Sequence, residues 1–152
     1  QPELFLLTYS RTGEGNGNGS AKYLKSGLKH EQADQYLERI KQYMTMEKPY
    51  LDPDLSVYTL SQKLDMSRNH LTQVINEKLS KNFYELINEY RVDEVKRMMQ
   101  DVKFSHLNLT GIGLEAGFKS KTAFNMNFKK ITGCTPTEWQ RRQLAELPHK
   151  EV

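Results

Sequence analysis

Apolar residues fall along this chain in short stripes at three- and four-residue steps, separated by capping and turn residues. Ala33, Tyr36, Leu37, Ile40, Tyr43 and Met44 form the first stripe and predict an amphipathic helix over 31–46. Pro49 and Pro53 end it and predict an extended connection. Val57, Leu60 and Leu64 behind Ser56 then predict a short capped helix. Asp65 is a turn residue that tolerates left-handed backbone, and Met66 is an apolar plug for the angle that follows. Ser67 caps a second helix whose inner face is Leu71, Val74, Ile75 and Leu79. Asn82 and Glu85 have capping-box spacing and open a third helix through Phe83, Leu86, Ile87 and Tyr90 to Met98 and Met99. That helix runs about 18 residues, or ~27 Å at the helical rise.

The plan then repeats. Ser56, Leu60, Leu64 and Met66 correspond to Asn108, Ile112, Ala116 and Phe118, all at an offset of 52 residues. Lys119 is one extra residue, and beyond it the offset is 53, with Ser67, Leu71, Ile75, Asn82 and Glu85 matching Ser120, Phe124, Phe128, Thr135 and Glu138. Caps match caps and apolar positions match apolar positions, as expected of a duplicated supersecondary unit. In the second copy Leu109 and Ile112 face inward, Gly117-Phe118 make the turn, and Phe124, Phe128 and Ile131 line the next helix up to Gly133. Thr135-Pro136-Thr137-Glu138, followed by Trp139, is a capping box with proline at the first helical position. The fold class is therefore all-α: two helix-turn-helix units joined by a long connecting helix, about seven helices in all. The organisation read from these patterns is a tail and flexible linker over 1–29, a helix and connection packing on the first unit over 30–54, the double unit over 55–143, and a C-terminal tail over 144–152. The linker is the Gly/Asn-rich tract at 12–20.

Charge sharpens the picture. The whole chain carries a formal +3, but residues 55–143 hold 14 Lys/Arg against 9 Asp/Glu, while the segments on either side are each slightly acidic. Lys119, Lys121, Lys129 and Lys130 lie within twelve residues with no acid among them. Such a face attracts a polyanion, although a Lys-rich helix surface alone indicates only a solvated one. In a helix-turn-helix the second helix enters the major groove of DNA. With the inner residues assigned, the helical period leaves Arg68, Asn69, Thr72, Gln73 and Asn76 outward in the first unit. Lys121, Thr122, Asn125 and Met126 are outward in the second, with Ala123 at the edge. Arg and Lys suit guanine, Asn and Gln suit adenine, and a methionine can cover a thymine methyl, so these nine are the candidate base contacts. Lys81, Lys129 and Lys130, with the helix starts capped by Ser67, Ser120 and Thr135, are the candidate phosphate contacts.

The segment LNLTGIGLEAGFKSKTAFNMNFKKITGCTPTEW resembles the signature of the AraC/XylS-type bacterial transcription activators. The Gly-Phe turn, the Phe-x-x-x-Phe helix with trailing lysines, the glycine and the Thr-Pro-x-x-aromatic cap come in that family's order. The upstream unit and its connecting helix NFYELINEYRVDEVKRMM match as well, so the resemblance covers about 36–143. It implies recognition helices in successive major grooves ~34 Å apart, double-stranded promoter or operator DNA as partner, and contact with RNA polymerase. It also implies a cytoplasmic place of action and an upstream sensing region, in a parent that could be membrane-anchored and could form a homodimer through it. The chain's start at Gln1 rather than Met fits such a piece of a longer protein. Two departures stand out. Gly111 and Gly113 occupy the first helix of the second unit, where the family often has Glu-x-x-Ala, and each glycine costs a short helix up to ~1 kcal/mol. Ala123 and Met126 stand where bulkier or basic side chains are common.

Other chemistries find little support. His30, His70, His106 and His149 show no metal-ligand spacing with one another or with Cys134, no phosphate-binding Gly-Lys loop is present, and no nucleophile has a recognisable base. The expectation is a non-enzymatic chain with no cofactor, no metal and no small-molecule ligand. The single cysteine fits a reducing compartment and, between Gly133 and Thr135, the filling of a tight bend. Two alternatives remain: a helix-turn-helix module that binds protein, or an architectural DNA binder without base discrimination. A protein-binding module should carry acidic or apolar residues where Arg68, Gln73, Lys121 and Lys130 stand.

Overall fold

The computed structural model of the chain describes residues 27–147, so the Gly/Asn-rich tract, His149 and the last residues of the C-terminal tail lie outside it. Among the described residues there are seven α-helices and no strand. They are α1 (His30–Glu47), α2 (Val57–Lys63), α3 (Arg68–Leu79), α4 (Phe83–Met99), α5 (Leu109–Glu115), α6 (Lys121–Thr132) and α7 (Pro136–Glu146). The backbone divides into two compact units at a point within α4, the first ending at Tyr90 and the second beginning at Arg91.

In the first unit the α1 stripe is sealed against α2, α3 and the start of α4. Ala33, Ile40 and Met44 share a core with Leu60, Leu64, Leu71, Val74, Ile75, Phe83, Leu86 and Ile87. Tyr36, Leu37, Tyr43, Val57 and Met66 pack at its margin, and Leu28, just ahead of α1, is buried in it. Polar ties add direction: Lys78 on α3 pairs with Asp34 on α1 at 2.7 Å, and Arg39 on α1 donates to the carbonyl of Leu64, the residue that caps the C-terminus of α2. The connection after α1 is not extended, as its two prolines suggested. Lys48 turns left-handed (φ 48°) and Pro49–Leu51 form a 3₁₀ turn. The fixed φ of proline suits the first residue of such a turn, and Pro49 has no N–H to leave unpaired. Tyr50, placed by that turn, stacks on Tyr90 at 5.4 Å.

The second unit is built on aromatic rings. Phe118, Phe124 and Phe128 are buried with Val92, Val95, Met98, Ile112 and Ala116. Phe124 lies 5.4 Å from Phe118 and 5.9 Å from Phe128, and Trp139 meets Phe128 edge-on at 6.2 Å. Lys96 on α4 sets its ammonium 4.3 Å from the centre of the Trp139 ring, and the Arg91 guanidinium sits 5.9 Å from that of Phe118. Cys134 is buried in the bend beside Thr132, whose hydroxyl donates to the Phe128 carbonyl at 2.7 Å. Helix α7 continues to Glu146, beyond the point where a tail is expected from the sequence.

The duplication extends to individual hydrogen bonds. The Ser56 hydroxyl accepts from Thr59 N–H, and Asn108 Oδ1 accepts from Gly111 N–H, at the same offset. Helix α2 ends with Asp65 N–H on Gln62 O and Met66 N–H on Ser61 O; α5 ends with Gly117 N–H on Leu114 O and Phe118 N–H on Gly113 O. Both are Schellman closures, and both need a left-handed residue, Asp65 at φ 52° and Gly117 at φ 108°. Ser67 and Ser120 cap α3 and α6 through His70 N–H and Ala123 N–H. Ser80 and Gly133 close those helices left-handed, by bonds to Asn76 O and Lys129 O.

The two copies differ where α5 meets α6. Ser61 is buried on α2, and Gly113 takes its place on α5. A Cβ at Gly113 would stand 2.4 Å from Phe124 Cδ2 and 2.5 Å from Cγ. The glycine that looked like a helix weakness is the space into which a phenylalanine fits where the first unit has Leu71.

Candidate nucleic-acid interface

Both second helices divide cleanly into an inner and an outer face. Leu71, Val74, Ile75 and Leu79 are buried on α3, and Phe124 and Phe128 on α6, which turns the intervening positions outward. Arg68, Asn69, Thr72 and Asn76 are exposed on α3. Gln73 is half-buried, with its amide 3.4 Å from Glu77 Oε1 one turn on. On α6, Lys121, Thr122, Asn125 and Met126 are exposed; Met126 keeps 67 % of its surface, a large apolar group standing in solvent. Ala123 is half-buried, as an edge position should be.

The caps set where these faces begin. Ser67 Oγ takes His70 N–H at 3.0 Å and Ser120 Oγ takes Ala123 N–H at 3.1 Å. Each cap satisfies one N–H of its helix start, and the remaining first-turn N–H groups carry the positive end of the helix dipole. At Thr135 the reciprocal box is complete: Glu138 N–H reaches Thr135 Oγ1 and Thr135 N–H reaches Glu138 Oε2, both at 3.2 Å. Thr135 itself is half-buried, so its hydroxyl works as a cap with little surface to offer. Asn82 and Glu85 form the matching box at the start of α4, with both bonds at 2.9 Å.

Lys129 and Lys130 are exposed near the end of α6 and, together with Lys121 at its start, give this helix three exposed cations. Arg141 and Arg142 are exposed on α7. Lys81 differs from them. It is 8 % exposed, and its ammonium is paired with Glu89 in the second turn of α4, which fixes the cation inside the first unit rather than on its surface. A lysine after a left-handed serine reads as exposed in sequence, and only the packing of the α4 start reveals its partner eight residues away. His70 is half-buried, its ring 6.0 Å from Tyr36 of α1, so it belongs to the α1–α3 packing.

Two residues outside the expected set lie against it. The Arg68 guanidinium sits 5.6 Å from the centre of the Tyr58 ring on α2, and the Tyr58 hydroxyl accepts from Gln62 Nε2 at 2.7 Å. The signal was present in the sequence as an aromatic on the polar face of α2, where no core demands one. Among the described residues no group of three or more His, Cys, Asp or Glu is placed to hold a metal ion, and no helix is long and apolar enough to cross a membrane.

Comparison with known proteins gives the same architecture. An HTH-type transcriptional regulator of Staphylococcus aureus (strain COL) is 27 % identical over 103 residues, 68 % of this chain and 13 % of that protein. The chain thus spans about an eighth of the length of this curated relative. The C-terminal domain of AraT, a response regulator from Geobacillus stearothermophilus, shares the fold with a TM-score of 0.60 at 22 % identity, over 70 % of this chain and 84 % of that one. The DNA-binding domain of the global transcriptional factor AdpA shares it at 0.61 and 18 %, over 75 % and 96 %. Residues 60–142, more than half of the chain, match the helix-turn-helix domain family. The chain therefore belongs to the helix-turn-helix domain family, in the AraC/XylS-type double form that its sequence resembles.

Proposed function

We propose that this chain is the DNA-binding output domain of a bacterial transcription regulator, each second helix entering a major groove of double-stranded DNA and reading bases there. The observation that carries this reading is the outer faces of α3 and α6, two capped helices in duplicate settings whose exposed residues are of base-reading type. Arg68, Asn69, Thr72, Gln73 and Asn76 read bases from the first unit, and Lys121, Thr122, Asn125 and Met126 from the second. Gln73 turns from Glu77 to a base edge on binding. Lys129, Lys130 and the N-termini of α3, α6 and α7, at Ser67, Ser120 and Thr135, hold phosphates. Lys81 supports the first unit from within. The AdpA domain is known in complex with a target DNA, which supports the same use of a shared fold. Contact with RNA polymerase, activation, action in the cytoplasm and a homodimer formed through an upstream region extend this reading and rest on the family resemblance.

The test is a salt titration of binding to a promoter fragment from the gene's own neighbourhood, against a scrambled duplex of equal length. A preference of about a thousandfold that survives added salt is expected of a base-reading regulator. Equal binding that collapses with salt would mean an architectural binder, and no binding to either duplex at low salt would mean a protein-interaction module.

A further inference from the structure

Arg68 is the first residue of α3, exposed at the start of the proposed reading helix, and among the described residues no carboxylate lies within ion-pair distance of it. An arginine so placed has many rotamers open to it, and only those that aim the guanidinium fork outward can meet a guanine edge with two bonds. Tyr58 narrows that choice. Tyr58 is 52 % exposed, and its ring is tied through the hydroxyl to Gln62 one turn along α2 and has the guanidinium 5.6 Å from its centre. The Tyr58 carbonyl is tied as well, accepting from Ser61 Oγ at 2.8 Å. A large ring that serves no core, is fixed at its tip and lies against the one cation at the head of α3 has the form of a platform.

We propose that Tyr58 is a positioning residue for base recognition: its ring holds the Arg68 guanidinium in the orientation in which the fork reads a guanine. This rests on the DNA-reading role proposed above. The duplicated unit supplies an internal contrast. Thr110, Leu114 and Lys121 stand in the second unit where Tyr58, Gln62 and Arg68 stand in the first. A lysine ammonium is a point charge with no plane to align, and no ring is provided for it. The first unit is therefore specialised for bidentate reading at this position and the second is not.

The experiment uses the whole chain and a pool of duplexes randomised around the preferred site, so that preference is read separately at every base position. Arg68→Ala should lower the preference for one guanine by about ten- to a hundredfold. Tyr58→Leu should lower the preference at that same position by about two- to fivefold and leave the others as they are, while Tyr58→Phe, which keeps the ring but loses the tie to Gln62, should fall between wild type and Tyr58→Leu. In the free protein, NMR should show the Arg68 Cδ protons shifted upfield by the ring in wild type and Tyr58→Phe, but not in Tyr58→Leu. An unchanged guanine preference in Tyr58→Leu, or a uniform loss at all positions, would overturn the positioning role while leaving the DNA-reading role intact. Should wild type itself show no base preference, the DNA-reading role falls, and this role falls with it.

Discussion

Gly113→Ala sets two well-measured effects against each other. In a helix interior alanine is favoured over glycine by ~1 kcal/mol, so propensity alone makes the substitution stabilising. The structure reverses the sign. A Cβ at 113 would lie 2.4, 2.5 and 2.9 Å from Cδ2, Cγ and Cε2 of Phe124. Each distance is half an ångström or more inside ordinary contact, and they involve a rigid ring rather than the end of a flexible chain. Phe124 is 1 % exposed and has Phe118 and Phe128 as ring neighbours, so it has no free volume into which to retreat. Overpacking costs ~1–3 kcal/mol, and contacts this close against a held ring belong in the upper half of that range, so set against the propensity gain of ~1 kcal/mol they leave a net loss of about 1–2 kcal/mol. For a fold of this size, between the small-domain and the 150-residue classes, that lowers Tm by about 3–12 °C. Gly111→Ala is the matched control. Its Cβ would meet Asn108 Oδ1 at 3.2 Å and Leu107 Cδ2 at 3.4 Å, contacts that a small shift relieves, so its change should run from neutral to stabilising by up to ~1 kcal/mol. Trp139 is the single tryptophan and packs on Phe128, so its fluorescence in a urea titration reports the second unit directly. A Gly113→Ala chain as stable as wild type, or more so, would refute the close-packing argument.

Three further outcomes follow from the same geometry. Gln73→Ala should relax preference at one base position by ~1–3 kcal/mol, whereas Lys130→Ala should weaken all duplexes alike and flatten the salt slope by about one charge; competition binding at several salt concentrations separates them. Lys81→Ala should leave the salt slope alone and instead cost the first unit about 2–3 kcal/mol in urea denaturation followed by circular dichroism. That is below the ~3–5 of a fully buried pair, because Glu89 keeps 16 % of its side-chain surface. Thr135→Ala removes one arm of the α7 capping box and should lower stability by ~1 kcal/mol, visible in the Trp139 transition.

Most of the architecture was legible because it is written locally. A cap, an apolar stripe and a left-handed closure each involve residues within a few positions of one another, so Ser56, Ser67, Asn108, Ser120 and Thr135 mark helix starts that the structure places within a residue. The inner and outer faces of α3 and α6 followed from the same period. Pairings that depend on packing between elements were not legible. Lys81 shows as a surface cation until the α4 start brings Glu89 to it, and Gly113 shows as a helix breaker until α6 lays Phe124 against it. The 3₁₀ turn at Pro49 was missed because proline's fixed φ serves a turn as readily as an extended strand.

Lys119 lengthens the second turn by one residue, yet nothing downstream is displaced from its role. Because Ser120 begins a new helix with its own cap, the count of 3.6 residues per turn restarts there, and Phe124 and Phe128 arrive on the inner side just as Leu71 and Ile75 do. The turn thus behaves as an expansion joint: length gained ahead of the serine is absorbed, whereas one residue gained after it would swing Phe128 about 100° around the α6 axis and out of its ring cluster. Copies of this unit are free to drift in length at that joint, and it is the place to insert a tag or a probe without disturbing the helix that follows.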